Sequence, residues 1–166
     1  PVNGQCAVIV NTCTSGTLSD IADSNTNNLW SCVGTGGGTT ASCTASISAN
    51  KAPVGTILTP TVDAKYNAGD RIRFSGNATD PEDGTLPPAN FSWTVVFHHD
   101  EHTHPFLGPL TGKTNDNFVI PTTGELADNV WYRIYLKVTD SKGLSSEVYR
   151  DIHPNKVDLD FATTPA

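Results

Sequence analysis

The chain has 166 residues, the length of one or two small domains, and carries a formal net charge of −7. Its ten lysine and arginine residues form no patch, which argues against a nucleic-acid partner, and no apolar run approaches the roughly 20 residues of a membrane span. Only 37% of the residues are hydrophobic and 16% are charged, while Ser, Thr, Asn and Gly are frequent. This profile favours strands and turns over helices.

Residues 1–49 predict a small disulfide-stapled β segment. All four cysteines fall in this stretch, and they are Cys6, Cys13, Cys32 and Cys43. Clustered cysteines in even number indicate disulfides made in an oxidising compartment, and a unit this short needs such links because its core is small. The competing zinc-knuckle interpretation requires Cys-x-x-Cys pairs, which the segment lacks.

The pairing of these cysteines stays open at the level of sequence. The glycine tract at positions 36–38 predicts a hairpin turn. A hairpin centred there places Cys32 opposite Cys43 and leaves Cys6 to pair with Cys13. A nested arrangement is equally compatible, since four cysteines allow three connectivities.

Residues 50–166 predict an all-β domain, an immunoglobulin-like antiparallel β-sandwich that begins after the junction at Pro53. Short strands with period-two alternation and turn residues between them are typical of that architecture. In the longest predicted strand, 130–139, apolar even-numbered positions face one way and odd-numbered positions the other. The predicted strands are 71–75, 91–98, 117–120, 130–139, 146–152 and, at an edge, 156–161.

Several phrases of this second segment resemble the PKD-like domains of secreted bacterial proteins. They are YNAGD at 66–70, FSGNATDPEDG at 74–84, FSW at 91–93 and LKVTDSKG at 136–143. The phrases HHDEHTHPF, IPTTGE, WYRI and YRDIHPNKV are similar to a module attached to PQQ-dependent glucose/sorbosone dehydrogenase-like proteins. The first 45 or so residues resemble a cysteine-containing repeat of bacterial surface proteins, through NGQC, WSC and GGTTASC.

The resemblance, which covers roughly residues 50–164, implies a PKD-like β-sandwich in an extracellular or periplasmic setting, joined to neighbouring domains of a larger exported polypeptide. It implies neither dehydrogenase chemistry nor an organic cofactor, because the catalytic propeller of those proteins is absent. The Trp-Asp-Phe-Gly-Asp-Gly phrase usual in PKD domains is also missing, and the histidine-rich segment stands in its place.

Residues 97–105 hold four of the five histidines and two carboxylates. Imidazole nitrogen is a common ligand of Zn²⁺ and Cu²⁺, and alternate side chains of an extended segment share a face, so neighbouring rings there can turn toward one ion. Hydrogen bonding within a polar cluster and direct contact with a bound molecule are the alternative interpretations. The predicted metal ligands are His98, His102, His104, His153 and Asp100, and His98 can join only if the chain bends near Asp100.

The loop around Asp80, Glu82 and Asp83 is a candidate calcium site. Calcium takes six to eight oxygen ligands, and a turn beginning at Asp140 is expected near the same end of a sandwich. The alternative, slightly favoured, is an acidic turn in which Asp80 accepts hydrogen bonds from its own backbone.

A third candidate site lies on the odd-numbered face of the strand at 130–139. Trp131 and Tyr135 flank Arg133 there and could form a platform for sugar rings. The favoured alternative is that the aromatic rings pack beneath a covering loop, such as residues 105–117.

We therefore expect a non-catalytic accessory module that docks an exported carbohydrate-active or redox protein to polysaccharide or a cell-surface glycan. One alternative is a structural spacer or adhesin segment rigidified by metal ions. A second is a metal-dependent enzyme domain that uses the segment from His98 to His104, although the sequence contains no nucleophile elbow or oxyanion motif.

Overall fold

The computed structural model describes residues 1–123, 127–157 and 162. The chain divides into two compact units, Pro1–Ala49 and Asn50–Ala166, each with its own buried cluster. Within the described residues the secondary structure is β-strand apart from one 3₁₀ turn at Pro88–Asn90, so the predicted all-β class is confirmed. None of these residues forms a helix long and apolar enough to cross a membrane.

The first unit contains two small antiparallel sheets. One pairs β1 with β2, and the other has the order β3-β4-β5. Gly36 and Gly37, both with positive φ, lie in the turn between β4 and β5, as the glycine tract predicted. The strands are β1 (Gln5–Cys6), β2 (Cys13–Ser15), β3 (Thr17–Ile21), β4 (Asn27–Val33) and β5 (Ala41–Ser46).

Two nested disulfides hold this unit, Cys6–Cys43 and Cys13–Cys32. The predicted disulfides are therefore present, and of the arrangements that the sequence left open the nested one occurs. Cys32 and Cys43 are not bonded to each other, because the register of β4 and β5 places Trp30 rather than Cys32 opposite Cys43. The two bonds still pack together, with 3.7 Å between the sulfur atoms of Cys32 and Cys43, and all four cysteines are engaged.

The second unit is a β-sandwich of a five-stranded and a four-stranded sheet. The first has the order β11-β10-β13-β14-β7, and the second has the order β12-β8-β6 with β9 paired to β8. All pairings are antiparallel except that of β14 with β7. The strands are β6 (Val54–Thr59), β7 (Lys65–Tyr66), β8 (Arg71–Asp80), β9 (Gly84–Thr85), β10 (Phe91–His99), β11 (His102–Thr111), β12 (Asn115–Val119), β13 (Val130–Thr139) and β14 (Ser145–Pro154).

Alternating side chains of the two sheets form one aromatic-rich core. Trp93, fully buried on β10, contacts Phe74 of β8 with 4.8 Å between ring centroids, and Tyr132 of β13 lies 5.7 Å from Phe118 of β12. The predicted inward positions of β13 are buried, which confirms the period-two pattern there. They are Tyr132, Ile134, Leu136 and Val138.

Residues 105–117 were expected to form a covering loop, but His102–Thr111 is strand β11 at the edge of the five-stranded sheet. Of the strand predicted at 156–161, residues 156 and 157 lie outside any strand, and residues 158–161 lie outside the described part of the chain.

Candidate functional site

The hairpin formed by β10 and β11 sorts the histidines onto two faces of the sheet. Its tip is Asp100-Glu101, where Asp100 has φ of 46° and its backbone N–H donates to the carbonyl of Asn129. The register pairs His99 with His102 and His98 with Thr103. Because successive side chains of a strand point to opposite faces, His98 and His99 separate.

Three histidines meet on the inward side of the hairpin and form what we call the inner histidine cluster: His99, His102 and His104. The Nε2 atoms of His99 and His104 lie 3.2 Å apart, and their ring planes differ by 6°. The ring of His102 stacks on His99 at a centroid distance of 5.4 Å. His99 is the least exposed of the three, because it continues the inward row that includes Phe97.

The Nδ1 atom of His99 is buried and has no hydrogen-bond partner among the described residues. The Oδ2 atom of Asp100 lies 4.0 Å from it. That separation is beyond hydrogen-bond range. In this cluster the Nε2 atoms of His99 and His104 therefore face each other, and the Asp100 carboxylate lies on the Nδ1 side of His99.

The other two histidines flank Trp131 on the outward side. His98 stacks on Trp131 with centroids 4.5 Å apart, and His153 lies on the indole at 6.4 Å. Burial lowers the pKa of His98, the Arg133 guanidinium lowers it further, and Asp151 opposes both. The Nε2 atom of His98 is buried and has no partner among the described residues.

The predicted metal-ligand set is thus divided between two faces. His102 and His104 lie together, whereas His98 and His153 lie on the outward side and do not join them. The bend at Asp100 does occur, but it returns the chain as a paired strand, so it brings His99 rather than His98 to the others. Sequence reasoning missed His99, although the inward alternation of Trp93, Val95 and Phe97 extends directly to it.

The outward side of β13 and β14 carries a second group of side chains, which we call the aromatic face: Trp131, Arg133, Tyr135, Tyr149 and Asp151. Arg133 donates to both carboxylate oxygens of Asp151, at 2.6 and 2.7 Å, and these bonds raise its pKa. Its guanidinium carbon also lies 3.9 Å from the ring centroid of Tyr149. Tyr149 is 55% exposed and has Tyr135 as its cross-strand neighbour.

Alternation correctly placed Trp131, Arg133 and Tyr135 on one side, opposite the core. Strand β11 does not cover them, because it lies beside β10 in the same sheet. The two faces of Trp131 are occupied by His98 and His153, however, so the most accessible aromatic ring is Tyr149. Tyr149 was missed because its alternate neighbours Glu147 and Asp151 are charged, so the outward side of that strand gives no aromatic pattern.

The predicted calcium residues lie at one end of the sandwich. Ser141 donates to Asp83 through its backbone N–H and its hydroxyl, at 2.8 and 2.9 Å, which joins the two acidic turns. The Oδ1 atom of Asp80 accepts the backbone N–H groups of Glu82 and Asp83. Its other oxygen is buried without a partner in the described residues.

Asp140 is buried and accepts three hydrogen bonds. They come from the backbone N–H groups of Lys142 and Leu144 and from the side-chain amide of Asn50. Burial tends to raise the pKa of Asp140, but the hydrogen bonds together lower it below its ordinary value. This is the arrangement of a hydrogen-bonded acidic turn, and calcium binding there stays a prediction.

A groove of about 610 Å³ lies on the inward side of the sheet, next to the inner histidine cluster. Tyr66, Phe97, Phe106 and Tyr132 provide its aromatic lining, and His104 belongs to its wall. Burial, with a smaller contribution from Tyr132, raises the pKa of Tyr66 to about 12, so both phenols stay neutral across the physiological range.

A metal site with three or more protein ligands requires their donor atoms to converge. Within the described ranges, the only group of three His, Cys, Asp or Glu ligand atoms that lie within 4.8 Å of one another is that of Cys6, Cys32 and Cys43. Those sulfurs are in disulfides and cannot act as thiolate ligands. The histidines accordingly present a close pair rather than a complete set.

Comparison with protein-family models, curated proteins and solved structures finds no match to this chain.

Proposed function

We propose that the chain is a non-catalytic accessory module of a larger exported bacterial protein, and that its aromatic face binds polysaccharide or a cell-surface glycan. Two nested disulfides are compatible with an oxidising compartment, which supports the exported setting. The PKD-like resemblance of residues 50–164 supports the same setting and the accessory role.

The observation that carries the proposal is the exposed ring of Tyr149. One of its faces rests on Arg133, and Arg133 is itself fixed by the bidentate pair with Asp151. Tyr149 is 55% exposed, so the sheet holds an apolar surface in contact with water. A ring that is already immobile loses little conformational entropy when a ligand stacks on it.

Polar groups beside the ring suit the hydroxyl groups of a sugar. Glu147 and Lys137 form the next cross-strand pair along β13 and β14, and Asp151 lies on the other side of Tyr149. The C–H face of a pyranose ring can stack on the tyrosine while its equatorial hydroxyl groups exchange hydrogen bonds with these side chains. A flat sheet face with an aromatic ring and charged neighbours fits an extended polymer better than an enclosed small molecule.

Retention on insoluble polysaccharides tests the proposal. The intact chain is incubated with cellulose, chitin, xylan and peptidoglycan, and Tyr149→Ala is compared with it. The matched control is Leu58→Ala, which removes a similarly exposed side chain, 52%, from the other sheet. We expect Tyr149→Ala to weaken retention by at least about tenfold, equivalent to 1.4 kcal/mol, and Leu58→Ala to leave it unchanged.

Two results would contradict the proposal. If the wild-type chain and Tyr149→Ala are retained equally, the aromatic face does not bind the polysaccharide. Failure of the wild-type chain to bind any member of the panel would favour a structural spacer or adhesin segment instead.

A further inference from the structure

In the inner histidine cluster, the distance between the Nε2 atoms of His99 and His104 matches the distance between two ligands of one metal ion. A Zn²⁺ or Cu²⁺ ion binds imidazole nitrogen at about 2.0–2.1 Å. Two nitrogens on one ion are then about 3.3 Å apart at a tetrahedral angle and about 2.9 Å apart at a right angle. The observed separation of 3.2 Å between Nε2 of His99 and Nε2 of His104 falls within this interval.

Without an ion, the same two atoms form a hydrogen bond in which one neutral imidazole donates to the other. The rings are nearly parallel, so their nitrogens point at each other rather than at a shared third point. Ion binding therefore requires the rings to tilt while the distance between the two nitrogens hardly changes. His104 is exposed and lies near the tip of the hairpin, where such a tilt meets little packing resistance.

The environment of His99 favours a ligand role. Histidines that bind a metal through one nitrogen usually donate the other N–H to a carboxylate or a carbonyl group, which fixes the tautomer. The Nδ1 atom of His99 has no partner among the described residues, and Oδ2 of Asp100 is 4.0 Å from it. Ligation through Nε2 would place the proton on Nδ1, directed toward this carboxylate.

His102 supplies a third nitrogen within reach. It is the cross-strand neighbour of His99, its ring stacks on His99 at 5.4 Å, and it is exposed. Its ligand atoms do not yet converge with the other two, so it must change rotamer to bind. The remaining coordination positions would face the groove that His104 lines, and water can fill them.

We propose that the inner histidine cluster binds one divalent transition-metal ion, Cu²⁺ or Zn²⁺, through Nε2 of His99 and His104. His102 acts as a third ligand, and Asp100 positions His99. His98 and His153 take no part, since they flank Trp131 on the opposite side of the sheet. This site is independent of glycan binding by the aromatic face.

The opposite side of the sheet provides a matched control, because His153 of β14 lies there beside Trp131. Metal-free intact chain is titrated with Cu²⁺ in the presence of a competing chelator, by calorimetry and electron paramagnetic resonance. We expect one equivalent to bind with two or three nitrogen ligands in the spectrum. His104→Gln and His99→Gln should each weaken binding more than about tenfold, since even outer ligand partners contribute 10- to 100-fold.

His102→Gln should retain binding with one nitrogen fewer in the spectrum, and His153→Gln should match the wild-type chain in both measurements. Circular dichroism checks that each variant keeps its β-structure. The proposal is overturned if His104→Gln binds as tightly as the wild-type chain, if His153→Gln weakens binding as much as His104→Gln, or if the wild-type chain binds no Cu²⁺ against the chelator.

Discussion

Removal of the disulfide Cys13–Cys32 should destabilise the first unit while the stability of the second unit stays unchanged. The fully buried cluster available to the first unit is small, consisting of Trp30, Cys32 and Cys43 with a few partly buried neighbours. With so little apolar surface to bury, the unit depends on its covalent links. We consider the variant Cys13→Ala/Cys32→Ala, in which alanine avoids burying a hydroxyl group at position 32.

The magnitude follows from the nested connectivity. The sequence separations are 37 for Cys6–Cys43 and 19 for Cys13–Cys32. The inner bond therefore divides a closed ring into two paths of 19 and 37 − 19 = 18 positions. On the chain-entropy description, a closed loop of this size restricts the unfolded chain by about 3 kcal/mol. The same cost, about 3 kcal/mol, is expected for removing either bond alone, because each closes a path of nearly equal length when the other is intact.

Hydrogen exchange followed by mass spectrometry measures this change in the intact chain. Amides of β4 pair with both neighbouring strands, so they report the opening of the sheet. A loss of 3 kcal/mol should accelerate their exchange by about 100-fold, because each 1.4 kcal/mol is a factor of ten. The amides of β13 belong to the second unit and serve as the internal control. Acceleration of less than tenfold in β4, or equal acceleration in β13, would refute the reasoning.

The connectivity has a direct test without any substitution. A protease that cleaves before aspartate can cut at the exposed Asp20 and Asp23, and this separates Cys6 and Cys13 from the other two cysteines. Nested bonds keep the two halves joined until a reductant is added, as crossed bonds also would, whereas sequential bonds do not. If the halves separate without reduction, the bonds are sequential and the nested pairing is wrong.

Two further predictions concern the sandwich. A methyl group at Gly76 would lie 2.7 Å from the carbonyl oxygen of Thr56 and 2.9 Å from the side chain of Leu136. Gly76→Ala should therefore lower the free energy of unfolding by about 1–3 kcal/mol. An unchanged denaturant midpoint would contradict this prediction. The lowered pKa of Asp140 means that its stabilising contribution is present above its unfolded pKa of about 3.9 and is lost as the pH falls through the lower folded value. In buffer with chelator, melting temperatures between pH 2 and 5 should therefore fall more steeply for the wild-type chain than for Asp140→Asn, and parallel curves would exclude this contribution.

The parts of the fold that sequence predicted well are those in which burial alternates strictly. Strand β13 occupies the predicted residues 130–139, and strand β10 extends the predicted 91–98 by one residue, because both have apolar side chains at every second position. Strand β3 was missed because all five of its residues are exposed, which leaves no periodic signal. A small unit held by disulfides can maintain such a strand without burying it.

Strand β11 was missed for a different reason. Its sequence contains Pro105, Gly108 and Pro109, residues that favour turns and loops. Proline is tolerated in a sheet at an edge, where its missing N–H is not required by a second neighbour, and β11 is the edge of the five-stranded sheet. Edge status depends on tertiary arrangement, so the local sequence could not reveal it. Because β11 was missed, the grouping of the histidines was also incorrect.

The register of the hairpin places the proposed glycan site and the proposed metal site on opposite faces of the sheet, so each can be tested without changing the other. On β10, His98 supports the indole of Trp131 on the aromatic face, while its neighbour His99 belongs to the inner histidine cluster. A one-residue shift between β10 and β11 would exchange inward and outward side chains of β11, and it would remove His102 and His104 from His99. The inward packing of Phe97 and Phe106 opposes such a shift, since it would expose aromatic surface to water. The packing of the sandwich core therefore also determines which histidines lie together. Metal binding that depends on both His99 and His104 would be evidence for this register.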